Sequence, residues 1–389
     1  MSAKVRRKRH AAEVEGLLRR HPVVGVLGAR QVGKTSLAAE VAARRRGPVT
    51  RFDLEDPSDR ARLADPKLAL QGLKGLVVLD EVQLLPEVFP LLRVLADRPG
   101  TPARFLLLGS ASPELARRTS ESLAGRIAYH RLRGFSLEEV GAEAVDTLWL
   151  RGAFPRAFLA GSDADAAEWL RSFIGTFLAR DIPQLGIGIP AETLGRFWRM
   201  LAHWHGQEWN ASEFGRAFGV ADHTVRRYLD LLAGAFVVRV LPPWSENLAK
   251  RQVKSPKVYV ADAGLVHALL GVGTMDDLLS HPKVGASWEG FAIEEVISRT
   301  GARPEECFFW GTHGGAELDL LLVRGRRRVG FEVKRTSAPA MTPSMRSALA
   351  DLRLDRLYVV HAGRDTFPLA ERVTAVPLSR LLRVVPPLP

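Results

Sequence analysis

Gly28, Gly33, Lys34 and Thr35 lie in the stretch GARQVGKT and fit the spacing G-x-x-x-x-G-K-[ST]. That spacing cradles phosphate. Glycines let successive backbone N–H groups wrap an anion, and the N-terminus of the helix that follows adds partial positive charge. The Lys34 ammonium would reach β- and γ-phosphates and the Thr35 hydroxyl would ligate Mg²⁺, with Ser36 in the same first turn. The implied ligands are ATP and Mg²⁺. A second stretch, GLVVLDEVQ (75–83), ends its apolar run in Asp80 and Glu81. Asp80 can hold the Mg²⁺, usually through water, and Glu81 can orient and activate the attacking water. A third, RFLLLGSAS (104–112), ends in Ser110, which either bonds the γ-phosphate or lytic water or caps a turn. Arg126, in SLAGR, lies in a small-residue turn where a guanidinium could reach a neighbouring subunit's nucleotide as an arginine finger. Arg156 and Arg180 are rival γ-phosphate sensors.

These residues need strands to present them. Each candidate ligand follows an apolar run, and the runs alternate with helical patterns. Ligands at the C-terminal ends of buried strands predict a doubly wound parallel α/β sheet, to which VTRFDLEDP (49–57) adds a further strand and loop.

A second constellation lies near the C-terminus. Glu289 begins the helical segment WEGFAIEEVISR, Asp319 sits in the apolar run ELDLLLV, and Glu332 and Lys334 alternate in FEVKR. A hairpin through RGRRR would bring Asp319 beside Glu332 and Lys334, which share one strand face. Acids from a helix and two strands, with a lysine to steer water, are what a PD-(D/E)xK metal-dependent nuclease requires. Glu-x-Lys alone is also ordinary strand trim, so the conjunction speaks for the fold more than for cleavage. No Cys/His zinc spacing appears.

Between the two lies NASEFGRAFGVADHTVRRYLDLLAGAFVVRVLPPW (210–244). Ser212 with Glu213 can cap a short helix, Gly219 makes a turn, and Asp222 can cap a second helix from His223 to Leu232. That helix buries Val225, Leu229 and Leu232 and leaves His223, Thr224, Arg226 and Arg227 outward. The pattern fits a DNA-reading helix-turn-helix, and AFVVRVL adds a strand that would make it winged. The basic residues Lys250, Arg251, Lys254 and Lys257 follow, as candidate phosphate contacts.

With 389 residues the chain is long enough for two or three domains. The net charge of +12 points to a polyanion partner, DNA first, although an Arg-rich solvated surface would look alike. The arm Lys4, Arg6, Arg7, Lys8, Arg9 is the densest basic stretch. Cys307 is the single cysteine, no apolar run is long enough to span a bilayer, and no signal core follows the basic start; a reducing cytoplasm is the expected location.

Together the phosphate loop, LDE, LLGSAS and SLAGR resemble the AAA+ superfamily. More narrowly, the chain is similar to prokaryotic AAA+ ATPases whose C-terminal half is a domain of unknown function with nuclease-like relatives. RGAFPRAF (151–158), LARDI (178–182), YVADAGLVHALLG (259–271), WEGFAIEEV (288–296), FFWGTHGGAELDLLL (308–322) and FEVKR carry the likeness further. RGAFPRA departs from it, because such proteins more often have a second Gly and an acid after the Pro. The resemblance implies an α/β P-loop core over 1–135, a helical lid over 136–205, a winged helix-turn-helix over 206–245 and a nuclease-like α/β domain over 246–389. It also implies a ring, a hexamer, with nucleotide at subunit interfaces. The expected activity is Mg²⁺-dependent ATP hydrolysis coupled to binding or remodelling of DNA, branched or junction DNA included. The alternatives are an ATP-gated nuclease and a nucleotide-dependent switch that binds a protein.

Overall fold

The computed structural model describes residues 5–100, 103–110, 123–184, 188–245 and 253–388. The chain divides into two compact units, residues 1–134 with 234–236, and residues 135–233 with 237–389.

The first unit is built on a five-stranded sheet in the order β2-β3-β4-β1-β5, all parallel. Its strands are β1 (Val23–Gly28), β2 (Val49–Asp53), β3 (Gly75–Asp80), β4 (Ala103–Ser110) and β5 (Ile127–Arg131). The three middle strands are the near-continuous apolar runs. A strand covered on both faces has no solvent side to alternate towards. Helices α1 (Lys8–Arg20), α2 (Lys34–Ala43), α3 (Pro57–Arg62), α4 (Pro66–Gln71) and α5 (Val88–Ala96) accompany it. Asp56 and Asp65 cap α3 and α4, each with Pro at the first helical position. Phe52, Leu79, Phe89, Leu92, Phe105 and Leu107 lie in the core.

The basic arm is not all solvated surface. Arg7 is buried, and its guanidinium donates to the carbonyls of Val32, Arg133 and Gly134, while its backbone N–H reaches Glu40. It fastens the start of α1 to the loop preceding α2, so Arg7 is unavailable as a polyanion contact.

The second unit contains helices α6 (Val145–Arg151), α7 (Asp163–Thr176), α8 (Ala191–His203), α9 (Ala211–Phe218), α10 (Asp222–Gly234), α11 (Ala263–Leu270), α12 (Val284–Thr300) and α13 (Pro343–Asp351). A small antiparallel sheet has the order β6-β8-β7, from β6 (Gln207–Glu208), β7 (Val238–Leu241) and β8 (Lys257–Val260). All four residues of β8 are buried, and it is hydrogen-bonded to a strand on each side. This sheet straddles the domain boundary expected after residue 245. A six-stranded sheet follows in the order β13-β14-β12-β11-β10-β9. Its strands are β9 (Cys307–Gly311), β10 (Glu317–Arg324), β11 (Arg327–Lys334), β12 (Arg356–His361), β13 (Phe367–Ala370) and β14 (Val373–Pro377). β10 and β11 form the expected hairpin, and β11, β12 and β14 run parallel. Trp310, Leu318, Leu321, Met345, Leu357 and Val359 pack in one of its cores.

Candidate functional site

The phosphate loop joins β1 to α2. Gln31 at φ 61° and Gly33 at φ 98° turn the backbone through the left-handed region, and α2 starts directly after Gly33. Lys34 is 5% exposed, and its ammonium donates to the carbonyls of Gly28 (3.1 Å) and Ala29 (3.0 Å). The ammonium thus rests on the carbonyls of the loop it would leave to meet phosphate. Gly28 has a steric requirement of its own: a Cβ there would lie 2.2 Å from the Leu132 carbonyl oxygen. Gly28→Ala is expected to destabilise the fold by about 1–3 kcal/mol. Urea unfolding measures this, and a variant as stable as the parent would contradict the contact.

At the end of β3, the Thr35 hydroxyl donates to Asp80 Oδ2 at 2.8 Å. Arg51 Nη2, from β2, reaches the same oxygen at 3.1 Å, and the Glu81 N–H donates to Asp80 Oδ1 at 3.1 Å. Burial raises the Asp80 carboxyl, as do Glu81 and Asp53, against the opposing pull of Thr35 and Arg51. Glu81 is held at φ 53°, and its carboxylate accepts from the Gln83 side-chain amide. A non-glycine residue in that region is uncommon, and such strain collects where a side chain must be aimed. Hydroxyl and carboxylate oxygens are hard donors of the kind Mg²⁺ takes, so Thr35 and Asp80 fit that ion.

Ser110 ends β4, its backbone in register with Gly28, so it lies beside the start of the phosphate loop. Ala111, Ser112 and Ser122 of the quoted motifs fall outside the described residues. Arg126 makes a two-pronged ion pair with Asp97, Nε–Oδ1 and Nη2–Oδ2 both 2.7 Å, on the exposed surface. An exposed pair of this kind is weak enough to open. Arg156 and Arg180 are exposed and belong to the second unit.

In the second unit the hairpin brings Asp319 one step beyond the Leu320–Phe331 pair, opposite Glu332. The Val333 N–H donates to Asp319 Oδ2 at 2.8 Å, and Lys334 Nζ lies 2.7 Å from Glu332 Oε1, on the shared face. Glu289 lies in the second turn of α12 rather than at its start, and accepts from the Tyr259 hydroxyl at 2.6 Å. The cluster also holds a cation not assigned to it from sequence. Lys257 Nζ lies 3.6 Å from Glu289 Oε1 and 3.9 Å from Asp319 Oδ1, and pairs with Glu317. Lys257 is therefore not a DNA-phosphate contact: it is 5% exposed and committed to carboxylates. Of the other basic residues grouped with it, Lys250 and Arg251 fall outside the described residues.

Burial pushes the Glu289 carboxyl up to about 7 and that of Glu332 up to about 8, Asp319 adding to both shifts. Asp319 itself is raised, chiefly by burial, against Lys257. Burial alone would lower the Lys257 ammonium, but Glu289, Asp319 and Glu317 outweigh it and hold it raised. Glu289, Asp319 and Glu332 do not converge as metal ligands do. Among the described residues, the one His, Cys, Asp and Glu group whose ligand atoms lie within 4.8 Å of one another is His10, Glu13 and His130. Sequence spacing gave no sign of this group, because α1 and β5 bring it together across 120 positions. Arg9 already pairs with Glu13, and burial with Arg7, Arg9 and Arg133 nearby pushes His10 down to about 2. That cationic surrounding opposes a dication.

The helix pair α9–α10 turns at Gly219, φ 65°. Asn210, not Ser212, caps α9, and the Ser212 hydroxyl instead donates to Asp222 at 2.6 Å, tying the two helix starts together. α10 buries Val225, Leu229 and Leu232. His223, Arg226 and Arg227 are exposed, as the periodicity predicts, whereas Thr224, expected outward with them, is half-buried.

The sequence pattern of a family described as "AAA domain" matches residues 20–141. "Domain of unknown function (DUF8612)" matches 142–276 and "Domain of unknown function (DUF4143)" matches 284–381. "Uncharacterized protein Rv2008c" of Mycobacterium tuberculosis and "Uncharacterized protein Mb2031c" of Mycobacterium bovis are each 50% identical to this chain over 378 residues, 97% of this chain and 85% of theirs. The chain belongs to the family of these mycobacterial proteins. Its N-terminal part is an AAA-type P-loop domain on an α/β sheet. Among solved structures it is similar to the Walker-type ATPase paby2304 of Pyrococcus abyssi, 16% identical, TM-score 0.49, covering 69% of this chain and 96% of that one. The Thermotoga maritima RuvB Holliday junction branch migration motor gives 15% identity, TM-score 0.31 and coverage of 61% and 90%. Among the described residues, no helix is long and apolar enough to cross a membrane.

In this AAA-type domain Arg51 is the residue sequence reasoning missed. Its signal was its place on β2, the edge strand whose last residue is in register with Asp80.

Proposed function

We propose that this chain is a Mg²⁺-dependent ATP phosphohydrolase whose turnover is coupled to DNA. The observation that carries it is the Thr35–Asp80 contact at the C-terminal end of β3, beside a loop whose lysine is held on its own carbonyls. Gly28 and Gly33 keep the loop backbone open to phosphate, and Lys34 and Ser36 stand at the start of α2, where N–H groups and helix dipole favour an anion. Mg²⁺, held by Thr35 and Asp80, would neutralise charge on the phosphates. Lys34 exchanges its carbonyl partners for phosphate oxygens. Glu81 accepts the proton of the attacking water, Ser110 bonds the γ-phosphate or that water, and Arg126 releases Asp97 to act on a neighbouring subunit's nucleotide in a ring, which we take to be a hexamer. Phosphate release from ATP with and without Mg²⁺ tests this.

DNA coupling is supported by the order α8-β6-α9-α10-β7-β8, helix–strand–helix–helix–strand–strand, which favours a winged helix in which α10 would be the reading helix. His223, Thr224, Arg226 and Arg227 are its candidate contacts. Arg226→Ala/Arg227→Ala should reduce DNA affinity by about 2–6 kcal/mol if both contacts read bases, less if they touch only phosphate, and remove DNA stimulation of turnover. Undiminished stimulation would exclude α10. Should no DNA structure alter wild-type turnover, the reading as a switch for a protein partner would take its place. The single cysteine fits a cytoplasmic setting.

The acid cluster favours a second reading for the C-terminal half. The order α12-β9-β10-β11-α13-β12, with Glu289, Asp319, Glu332 and Lys334 brought together, supports a nuclease-type fold. Its carboxylates are held by ammonium groups, an arrangement that does not fit a divalent ion.

A further inference from the structure

We propose that Lys257 is the resident cation of the acid cluster: its ammonium stands where a nuclease-type site takes a divalent ion, so the pocket binds neither Mg²⁺ nor Mn²⁺ while Lys257 is present. The inference rests on reading Glu289, Asp319 and Glu332 as a nuclease-type site, and concerns what fills it.

The ammonium contacts carboxylates from two elements, Glu289 of α12 and Glu317 and Asp319 of β10. Its approach is fixed by a sheet rather than a loop, because Lys257 opens β8 and its backbone is in register with Glu208 on one side and Leu241 on the other. It is 5% exposed, so withdrawing it from the acids would leave a buried charge unpaired. The acids' other interactions hold them in this arrangement. Tyr259 donates to Glu289, Val333 to Asp319 and Lys334 to Glu332. Glu332 Oε2 is buried without a hydrogen-bond partner, and by itself it does not hold an ion. A dication entering among these acids would meet two ammonium groups at close range.

The test titrates Mn²⁺ into the nucleotide-free full-length protein and reads free Mn²⁺ by electron paramagnetic resonance. Wild type and Lys257→Arg, which keeps the charge, should have no Mn²⁺ site that Asp319→Asn removes. Lys257→Met should gain one Mn²⁺ site per chain, because the competing ammonium charge is gone, and Asp319→Asn in that background should abolish it. Should Lys257→Met fail to fold, Lys257→Met/Glu317→Gln removes one charge of each sign and should show the same gain. A wild-type site lost on Asp319→Asn would overturn the proposal and leave the nuclease-type reading standing. No site in either folded Lys257→Met protein would overturn both.

Discussion

Lys34→Ala should lower ATP turnover by about two to three orders of magnitude, the loss seen when a preorganised cation or donor is removed from a transition state. The lysine is buried at the N-terminus of α2, and its ammonium is held within hydrogen-bond reach of Gly28 and Ala29. It is therefore already desolvated and needs only a short excursion to reach phosphate. In such a site a charge acts through a lower effective dielectric than in water. The packing of α2 does not depend on it, because Leu37, Ala38 and Val41 carry the apolar face. The variant should fold and melt close to wild type, so the loss will be one of chemistry and phosphate affinity. Colorimetric phosphate release and nucleotide binding, measured together with a melting curve, separate these.

Glu81→Gln should leave ATP binding nearly intact and lower turnover by about 10²–10⁴-fold, the range a positioned general base contributes. The substitution keeps shape and removes only the ability to take a proton. Glu81 directly follows Asp80 and donates its N–H to that carboxylate, so the two acids are set in one backbone turn. Its left-handed φ and its bond from Gln83 aim the carboxylate. Binding of a fluorescent ATP analogue paired with phosphate release reads the split. Turnover within about tenfold of wild type would take the base role from Glu81.

The nucleotide site was legible because its parts are local in sequence: the glycine loop, the lysine and the strand-end acid each announce themselves within ten residues. The hairpin acids were legible for a related reason, since strand alternation and a short basic turn fix which residues share a face. Charges whose partners lie far along the chain were not. Lys257 reads as one more member of a basic cluster, and only β8 reveals that it points among acids supplied 32 to 62 positions later. The signal was there in part: a lysine heading the run KVYV begins a strand that is wholly buried. Arg7 misled in the same way, a member of a basic arm that the fold turns inward onto carbonyls. The pairing of β8 with the strand at residue 207 was not legible either, because no local pattern encodes it.

The most direct measurement is phosphate release from ATP by the full-length protein, with and without Mg²⁺, run beside Lys34→Ala. The account predicts Mg²⁺-dependent release by the wild type and a rate at least about a hundredfold lower for the variant. Release that persists in Lys34→Ala, or that is indifferent to Mg²⁺, would contradict it.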